Sequence, residues 1–281
     1  MRLTTQNHDR DSADATYVYP VVSRRAQGVS VGINLNPNDA CNWRCVYCQV
    51  PGLTMGKGPT IDLDQLEEEL RLLLDDVVHG DFMTRVVPEG SRRINDIAFS
   101  GNGESTSSPN FCAAVKTVLA VRSEYEALRE TKMVLITNGS LIHLGDARTG
   151  IAKLAAANGE VWFKVDSATD AGIEDINSSR LGQEHQERNL RLCAELAPTW
   201  LQTMMLRRSG LDPSEAERAA YLDLIERLVA DKIPLQGVLL YGLARESHQP
   251  EAESLSALSQ EWMDDFALEI RARGLEVRVS L

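Results

Sequence analysis

The chain has 281 residues and a net charge of −12 at pH 7, with 43% hydrophobic and 25% charged residues. This acidic balance argues against a broad, non-specific grip on nucleic acid, because phosphate contacts need lysine and arginine; a local basic patch stays open. No run of about 18 apolar residues occurs, so we expect no membrane span, and the first ten residues lack the apolar core of a signal peptide. Five cysteines, three of them clustered, indicate a reducing cytoplasm and a metal site, not a disulfide framework.

The beginning of the chain differs in character from the rest. Residues 1–16 are polar and lack periodicity, so we expect a mobile tail, and residues 17–22 (YVYPVV) predict an arm whose Pro20 restricts it to a sheet edge. We expect this tail and arm to occupy residues 1–28. Residues 29–281 are expected to form one core domain, which begins with an alternating strand at residues 30–36.

Strands and helices then alternate along the chain. After a helix at residues 61–78 and an irregular stretch at 80–93, five further strands are predicted at residues 94–100, 132–137, 161–165, 200–206 and 235–240. Helices are predicted between them, at residues 109–129, 145–157, within 168–197, and from an N-cap at Asp212 to about 229. A last helix from Pro250 to Gly274 precedes a final strand at 275–280. Six strands that alternate with helices imply an α/β fold with a parallel sheet and right-handed crossovers.

The chemistry of the chain centres on three cysteines. Cys41, Cys45 and Cys48 have the spacing C-x3-C-x2-C, which gathers three thiolates on one loop, and soft thiolates select zinc, copper(I) or iron–sulfur clusters. A structural zinc site is usually closed by four ligands, an ordinary four-iron cluster takes four thiolates, and no fourth Cys or His lies nearby. Three thiolates therefore indicate a cluster with one open iron. Three buried cysteines without metal, or a zinc knuckle with a distant fourth ligand, are the alternatives.

With Tyr47, these cysteines form the pattern C-x3-C-x-aromatic-C, which resembles the signature of the radical S-adenosylmethionine (SAM) enzymes. The resemblance implies a partial (β/α)6 TIM-like barrel with an N-terminal extension and a C-terminal helix and strand. It also implies a [4Fe–4S] cluster on Cys41, Cys45 and Cys48, with SAM on the fourth iron.

The activity implied is reductive cleavage of SAM to methionine and a 5′-deoxyadenosyl radical, which abstracts hydrogen from an unidentified substrate. Such an oxidoreductase or transferase would need a reductant such as flavodoxin or ferredoxin. The wider frame, GINLNP before the cysteines and VYCQVP through the last, is similar to uncharacterised Fe–S oxidoreductases distantly related to the wybutosine-synthesis enzyme.

Residues at the strand ends are candidates for binding SAM, because the working residues of βα barrels lie at the C-terminal ends of the strands. The resemblance places Tyr47 near the adenine. The sequence SGNGE after the second strand resembles the family's Gly-Gly-Glu motif, with Asn102 in place of its first glycine. Gly103 would let the backbone approach the ligand, and the Glu104 carboxylate suits the SAM ammonium group. A glycine-rich turn with a solvated glutamate is the alternative.

The later strands supply further polar candidates. Thr137 and Asn138 end the third strand, where an ordinary turn is an equal interpretation. Lys164 and Asp166 share one face of the fourth strand, and the resemblance suggests that they meet the ribose and carboxylate of SAM; a structural salt bridge is the competitor. Gln202 on the fifth strand could reach SAM or substrate, or satisfy a core hydrogen bond.

Two candidates for substrate contact follow the sixth strand, namely Tyr241 and Arg245, whose planar fork suits an anion. We expect Cys112 and Cys193 to be ordinary buried residues on helices. Two rival functions stay open: a non-catalytic iron–sulfur or zinc protein, and an RNA-modifying enzyme with the same radical core. An RNA-modifying enzyme would need a rim of basic residues around the site. The pairs of adjacent basic residues in the sequence are Arg24-Arg25, Arg92-Arg93 and Arg207-Arg208.

Overall fold

The computed structural model describes Leu3, residues 15–23 and residues 28–281. Most of the predicted tail and the Arg24-Arg25 pair lie outside the described residues. Leu3 belongs to a buried cluster that includes Val22, Val29 and Val86, and its N–H donates to the carbonyl oxygen of Val86 at 2.9 Å. The mobile tail and the expected boundary between residues 28 and 29 stay predictions.

Strands and helices alternate along the described chain. The strands are β1 (Val18–Ser23), β2 (Gly28–Ile33), β3 (Ala40–Cys41), β4 (Thr54–Met55), β5 (Ile94–Phe99), β6 (Lys132–Thr137), β7 (Gly159–Lys164), β8 (Thr199–Met205), β9 (Arg207–Arg208), β10 (Leu235–Gly242), β11 (Leu255–Ser256) and β12 (Val277–Ser280). The α-helices are α1 (Leu63–Val78), α2 (Phe82–Val86), α3 (Phe111–Ser123), α4 (Gly145–Ala155), α5 (Asp170–Asn177), α6 (Gln183–Leu196), α7 (Glu215–Ala230) and α8 (Gln260–Arg271). The predicted α/β class is confirmed.

The chain forms two compact units. Unit 1 comprises Met1–Asn42, Gly56–Ile136 and Leu144–Glu160, and unit 2 comprises Trp43–Met55, Thr137–His143 and Val161–Leu281. No helix among the described residues has both the length and the apolar character needed to cross a bilayer.

Unit 1 contains the strand order β1-β2-β5-β6. Strand β1 is antiparallel to β2 and ends the order, as Pro20 predicts for an edge, while β2, β5 and β6 run parallel. Helix α1 buries one stripe at steps of three and four residues, formed by Leu66, Leu70, Leu74 and Val77. Asp62 caps this helix by accepting from the N–H groups of Asp64 and Gln65.

Unit 2 contains the order β7-β8-β10-β12, with parallel pairing at every step. Every residue of β8 is buried, which is typical of a parallel strand covered on both faces. The last strand, β12, ends the order. Of the residues singled out by the sequence, Lys164 ends β7 and Tyr241 is the last but one residue of β10, while Gln202 lies in the middle of β8.

Three local predictions are wrong. Helix α7 begins at Glu215, and its cap is Ser214, which accepts from the Glu217 N–H; Asp212 lies too early because Ser214 and Glu217 form the capping pair. Helix α8 begins at Gln260 and not at Pro250, since the apolar residues at 255 and 258 lie on β11 and in the segment before the helix. The stretch at 80–93 contains the short helix α2.

Asp96 on β5 is a buried carboxyl group that receives a hydrogen bond from the Ser30 hydroxyl. Burial raises the pKa of Asp96 to about 6; the Ser30 bond opposes this, and the charge of Glu160 adds to it. The folded chain thus holds this proton to a higher pH than the unfolded chain. Stability from this group is present below the unfolded pKa and declines as the pH rises toward 6.

We expect Asp96→Asn to increase the free energy of unfolding by about 2–3 kcal/mol at pH 8 and by little at pH 4, because an amide cannot ionise. Urea unfolding of the chain without cofactors at both pH values measures this. The control is Asp223→Asn on the exposed face of α7, for which we expect little change at either pH. An equal effect of Asp96→Asn at both pH values would contradict the assignment.

Candidate functional site

The loop that carries Cys41, Cys45 and Cys48, here called the cysteine loop, spans the division of the chain between the two units. Cys41 belongs to unit 1, Cys45 and Cys48 belong to unit 2, and all three are half-buried and outside any disulfide. Among the described residues, no three His, Cys, Asp or Glu side chains are arranged to bind one metal ion. The case for a cluster therefore rests on the spacing of the thiols and on the surroundings of Cys45.

Cys45 lies in an apolar environment with one polar contact. It packs against a cluster formed by Val46, Tyr47, Met204 and Leu206, and the side-chain amide of Asn177 donates to its sulfur at 3.2 Å. Burial raises the pKa of the Cys45 thiol to about 11, although nearby Lys164 and the Asn177 bond act in the opposite direction. The loop thus places this half-buried sulfur between an apolar cluster and one fixed donor.

Asp166 is the centre of a buried polar network beside Cys45. Its carboxylate is 2% exposed and accepts from the Tyr47 hydroxyl, from Asn177 Nδ2 at 2.8 Å and from the Met204 N–H at 3.0 Å. Lys164 Nζ lies 3.6 Å from Oδ2. The two oxygens of a carboxylate can accept about four hydrogen bonds. The neighbours of Asp166 therefore occupy nearly all of its acceptor sites.

Lys164 is a buried cation with several neighbours. Its Nζ donates to the Tyr241 hydroxyl at 2.8 Å and lies 4.9 Å from the centre of the Tyr47 ring, a geometry that favours a cation. Burial lowers the pKa of Lys164, but the attraction of Asp166 and Tyr241 holds it above its ordinary value. Burial and the charge of Asp166 raise the pKa of Tyr47 well above its ordinary value. The lysine is therefore charged and the tyrosine protonated.

The segment after β10 holds the cysteine loop. Ser247 Oγ donates to the Val46 carbonyl oxygen at 2.7 Å, and the His248 N–H donates to the Cys48 carbonyl oxygen at 2.9 Å. Arg245, predicted to contact substrate, donates to Gln49 Oε1 of the same loop at 3.2 Å. Residues 245–251, here called the loop clamp, hold the loop through both its backbone and its side chains.

A second pair of contacts completes the loop clamp. Gln249 Nε2 donates to the Val50 carbonyl oxygen at 3.4 Å, and Arg44 pairs with both carboxylate oxygens of Glu251 at 2.7 and 2.8 Å. Sequence reasoning missed the clamp and Asn177. These residues belong to no periodic pattern in the sequence. The one sequence feature that could have indicated them is the presence of polar residues after β10 and at the end of α5.

The glycine-rich loop after β5 lies against the beginning of the cysteine loop within unit 1. The Asn102 N–H donates to Asn34 Oδ1 at 3.1 Å, and its side chain donates to Asp39 Oδ1 at 2.5 Å. Glu104 is 3% exposed and accepts from the N–H and the hydroxyl of Thr106. Where the family motif has glycine, Asn102 thus fastens the residues that lead to Cys41.

Gly103 has a packing reason to be glycine. A Cβ at this position would lie 2.1 Å from the Ala40 carbonyl oxygen and 2.7 Å from Asn36 Nδ2. We expect Gly103→Ala to destabilise the chain by about 1–3 kcal/mol through overpacking and to lower iron uptake on reconstitution. Urea unfolding and iron analysis measure both. Gly90→Ala is the matched control, because no atom lies within 4 Å of its Cβ; equal effects would contradict this role.

The remaining strand-end candidates belong to unit 2. Thr137 Oγ1 accepts from the Gly139 N–H, and Asn138 Oδ1 accepts from the N–H of Ser140, so both close the turn after β6. Gly139 has φ +73°, a value that favours glycine. Gln202 is 3% exposed, and its Oε1 has no hydrogen-bond partner among the described residues.

These surroundings fit a cluster with SAM bound to it. Thiolates are the donors that iron–sulfur clusters take. Asn177 Oδ1 and Gln202 Oε1 are among the buried amide oxygens that find no donor within the described part of the chain, and SAM carries ammonium, amino and hydroxyl donors. The cation of Lys164 suits its carboxylate.

Comparison with known proteins agrees with this description. The sequence model of the Radical SAM superfamily matches residues 35–220. UPF0026 protein MJ1312 of Methanocaldococcus jannaschii is 32% identical over 160 residues, which are 56% of this chain and 42% of that protein. The chain spans less than half the length of the curated relatives it matches.

Solved structures share the fold. A radical SAM methyltransferase from Sphaerobacter thermophilus has a TM-score of 0.65 at 14% identity, over 95% of this chain and 70% of that one. TYW1, an enzyme of wybutosine synthesis, has a TM-score of 0.56 at 13% identity, over 96% of this chain and 79% of that one. The predicted likeness to the wybutosine-synthesis enzymes is confirmed at the level of fold. The family match covers more than half of the chain, and the chain belongs to the radical SAM superfamily, whose members are enzymes that use a [4Fe–4S] cluster and SAM.

Proposed function

We propose that this protein cleaves SAM reductively at a [4Fe–4S] cluster held by Cys41, Cys45 and Cys48, and that it takes hydrogen from a substrate. The observation that carries the proposal is the cysteine motif, with Cys45 beside the buried Lys164–Asp166 network. When bound, the cluster supplies the electron that breaks a carbon–sulfur bond of SAM. The substrate class is open, since function lies in the site and not in the fold.

The chain's own residues bind and orient SAM in this proposal. Lys164 attracts the carboxylate, Glu104 accepts from the ammonium group, and Asp166 holds Lys164 and Tyr47 in position. Six further residues are proposed to contact SAM through backbone or side-chain atoms. They are Tyr47, Asn102, Gly103, Thr137, Asn138 and Gln202. Tyr241 and Arg245 are proposed to face substrate. The burial of Lys164 and Glu104 supports these roles, because a charge without water interacts more strongly with its ligand.

The cysteine loop also packs on an apolar cluster. The half-buried Cys45 packs against Val46, Met204 and Leu206, and residues of the loop clamp donate to the backbone carbonyl oxygens of Val46 and Cys48. A dry site protects a reactive intermediate from side reactions. We further propose a cytoplasmic location and a one-electron donor such as flavodoxin or ferredoxin.

The RNA-modifying rival receives less support. Arg207 pairs with Asp212, and Arg208 pairs with Asp175, so these two cations are compensated by acids and are poor candidates for an RNA-binding rim.

Anaerobic reconstitution with iron and sulfide, followed by SAM and dithionite, tests the proposal. We expect an iron–sulfur absorption spectrum and dithionite-dependent formation of 5′-deoxyadenosine, detected by mass spectrometry. Samples without dithionite or without the reconstituted cluster are the controls. A fully loaded cluster that forms no 5′-deoxyadenosine would contradict the activity, and a protein that binds zinc and no cluster would favour the structural rival.

A further inference from the structure

We propose that Asn177 raises the reduction potential of the cluster by donating a hydrogen bond to the sulfur of Cys45. Asn177 is thus a positioning residue and does not react. The inference rests on the proposed function, because it requires a cluster on Cys45. It assigns a role to a residue that the sequence motifs do not include.

The geometry places one amide between the metal ligand and the polar network. Asn177 is the last residue of α5 and is fully buried. Its Nδ2 lies 3.2 Å from Cys45 Sγ and 2.8 Å from Asp166 Oδ2. An amide nitrogen carries two hydrogens, so it can serve both acceptors at once.

The backbone around Asn177 holds this amide in place. Its carbonyl oxygen accepts from the Arg44 N–H at 3.1 Å, and the Ile176 carbonyl oxygen accepts from the Val46 N–H at 2.8 Å. The end of α5 is therefore hydrogen-bonded to both residues that flank Cys45. Because Asp166 accepts the second hydrogen, the amide cannot rotate away without losing a buried bond.

A fixed donor at this sulfur affects the cluster's redox equilibrium. Reduction adds one electron from the external donor, breaks no bond, and increases the negative charge shared by the ligand sulfurs. A hydrogen bond to a ligand sulfur stabilises the more negative form, so it raises the reduction potential. The effect is larger where the surroundings are apolar, as they are around Cys45.

The expected size follows from the usual net worth of one hydrogen bond. Its loss corresponds to about a fivefold to tenfold change in the equilibrium constant for reduction. A tenfold change equals about 59 mV for a one-electron couple. We expect Asn177→Ala and Asn177→Leu both to lower the potential by about 40–60 mV, which is the fivefold to tenfold change converted at 59 mV per tenfold. Leucine keeps most of the side-chain volume and removes the donor.

The matched control is Asn189→Ala. Asn189 is also a fully buried helical asparagine of unit 2, but its Nδ2 donates to the carbonyl oxygens of Gly139 and Ser140. The three variants and the wild type are reconstituted anaerobically and analysed for iron and sulfide. Each is then titrated with dithionite without SAM, and the potential is read from the electron paramagnetic resonance signal of the reduced cluster.

The outcomes separate this inference from the proposed function. A lower potential in both Asn177 variants and an unchanged one in Asn189→Ala is the expected result. Unchanged potentials in all variants would overturn the inference and leave the proposed function intact. Asn177 variants that take up no cluster would also overturn it, because the residue would then maintain the loop and not the sulfur's charge. A wild type without a reducible cluster would refute the proposed function itself.

Discussion

Cys45→Ala should take up little iron on reconstitution and form 5′-deoxyadenosine only at the background rate. The reason is the number of ligands. A cluster that keeps one iron open for SAM has three protein thiolates, and with only two thiolates a second iron has no protein ligand. Cys45 is also the sulfur that receives the Asn177 hydrogen bond and packs in the apolar cluster, so no solvent-exposed ligand replaces it readily. Iron analysis, absorption spectroscopy and mass spectrometry measure the loss.

Cys193→Ala provides the matched control. Cys193 is a fully buried thiol on α6, and burial raises its pKa to about 12, which makes it an inert packing residue. We expect this variant to load a cluster and cleave SAM like the wild type, at a modest cost in stability. Wild-type activity in Cys45→Ala would remove the basis for every role proposed at this site.

Asp166→Asn should lower the free energy of unfolding by about 3–5 kcal/mol, because it leaves Lys164 charged and buried without its counter-ion. The side chain of Lys164 is 14% exposed and that of Asp166 is fully buried, so water cannot compensate for the lost carboxylate. The substitution also replaces an acceptor of the Tyr47 and Asn177 bonds with a donor. Urea unfolding of the chain without cofactors measures the change.

A double-mutant cycle with Lys164→Met separates the charge from the remaining contacts. If the pair acts as one unit, the double variant loses less stability than the sum of the two single variants, since a buried pair removed together leaves no isolated charge. Asp212→Asn is the control: its partner Arg207 is partly exposed, and such pairs are worth about 1 kcal/mol or less. Additive losses in the Lys164–Asp166 cycle would contradict the network described here.

The regular elements follow from the sequence because their signals are local. Strand β6 matches its predicted bounds at residues 132–137, since a short apolar run between polar residues leaves few other assignments. The start of α8 is wrong by ten residues, because the apolar residues at 255 and 258 continue a helical spacing while their backbone forms β11 and a capped entry at Ser259. Local patterns cannot reveal this tertiary preference.

The site is only partly readable for the same reason. The motif cysteines and Lys164 with Asp166 stand out because three thiols in eight residues, or two charges in an apolar strand, are costly without a partner. Asn177 meets Cys45 across a separation of 132 residues, and Ser247 meets Val46 across 201. An isolated asparagine or serine carries no sign of such a contact, which only the folded chain supplies.

The loop clamp has a consequence for biosynthesis. The backbone acceptors at Val46 and Val50 receive their donors from residues 201 and 199 positions later. A nascent polypeptide exposes the cysteines early, but these hydrogen bonds must wait until Ser247 and Gln249 have emerged from the ribosome. The thiols therefore stay on an unsecured segment while about 200 further residues are made, and stable delivery of iron and sulfide belongs after residue 249 has emerged.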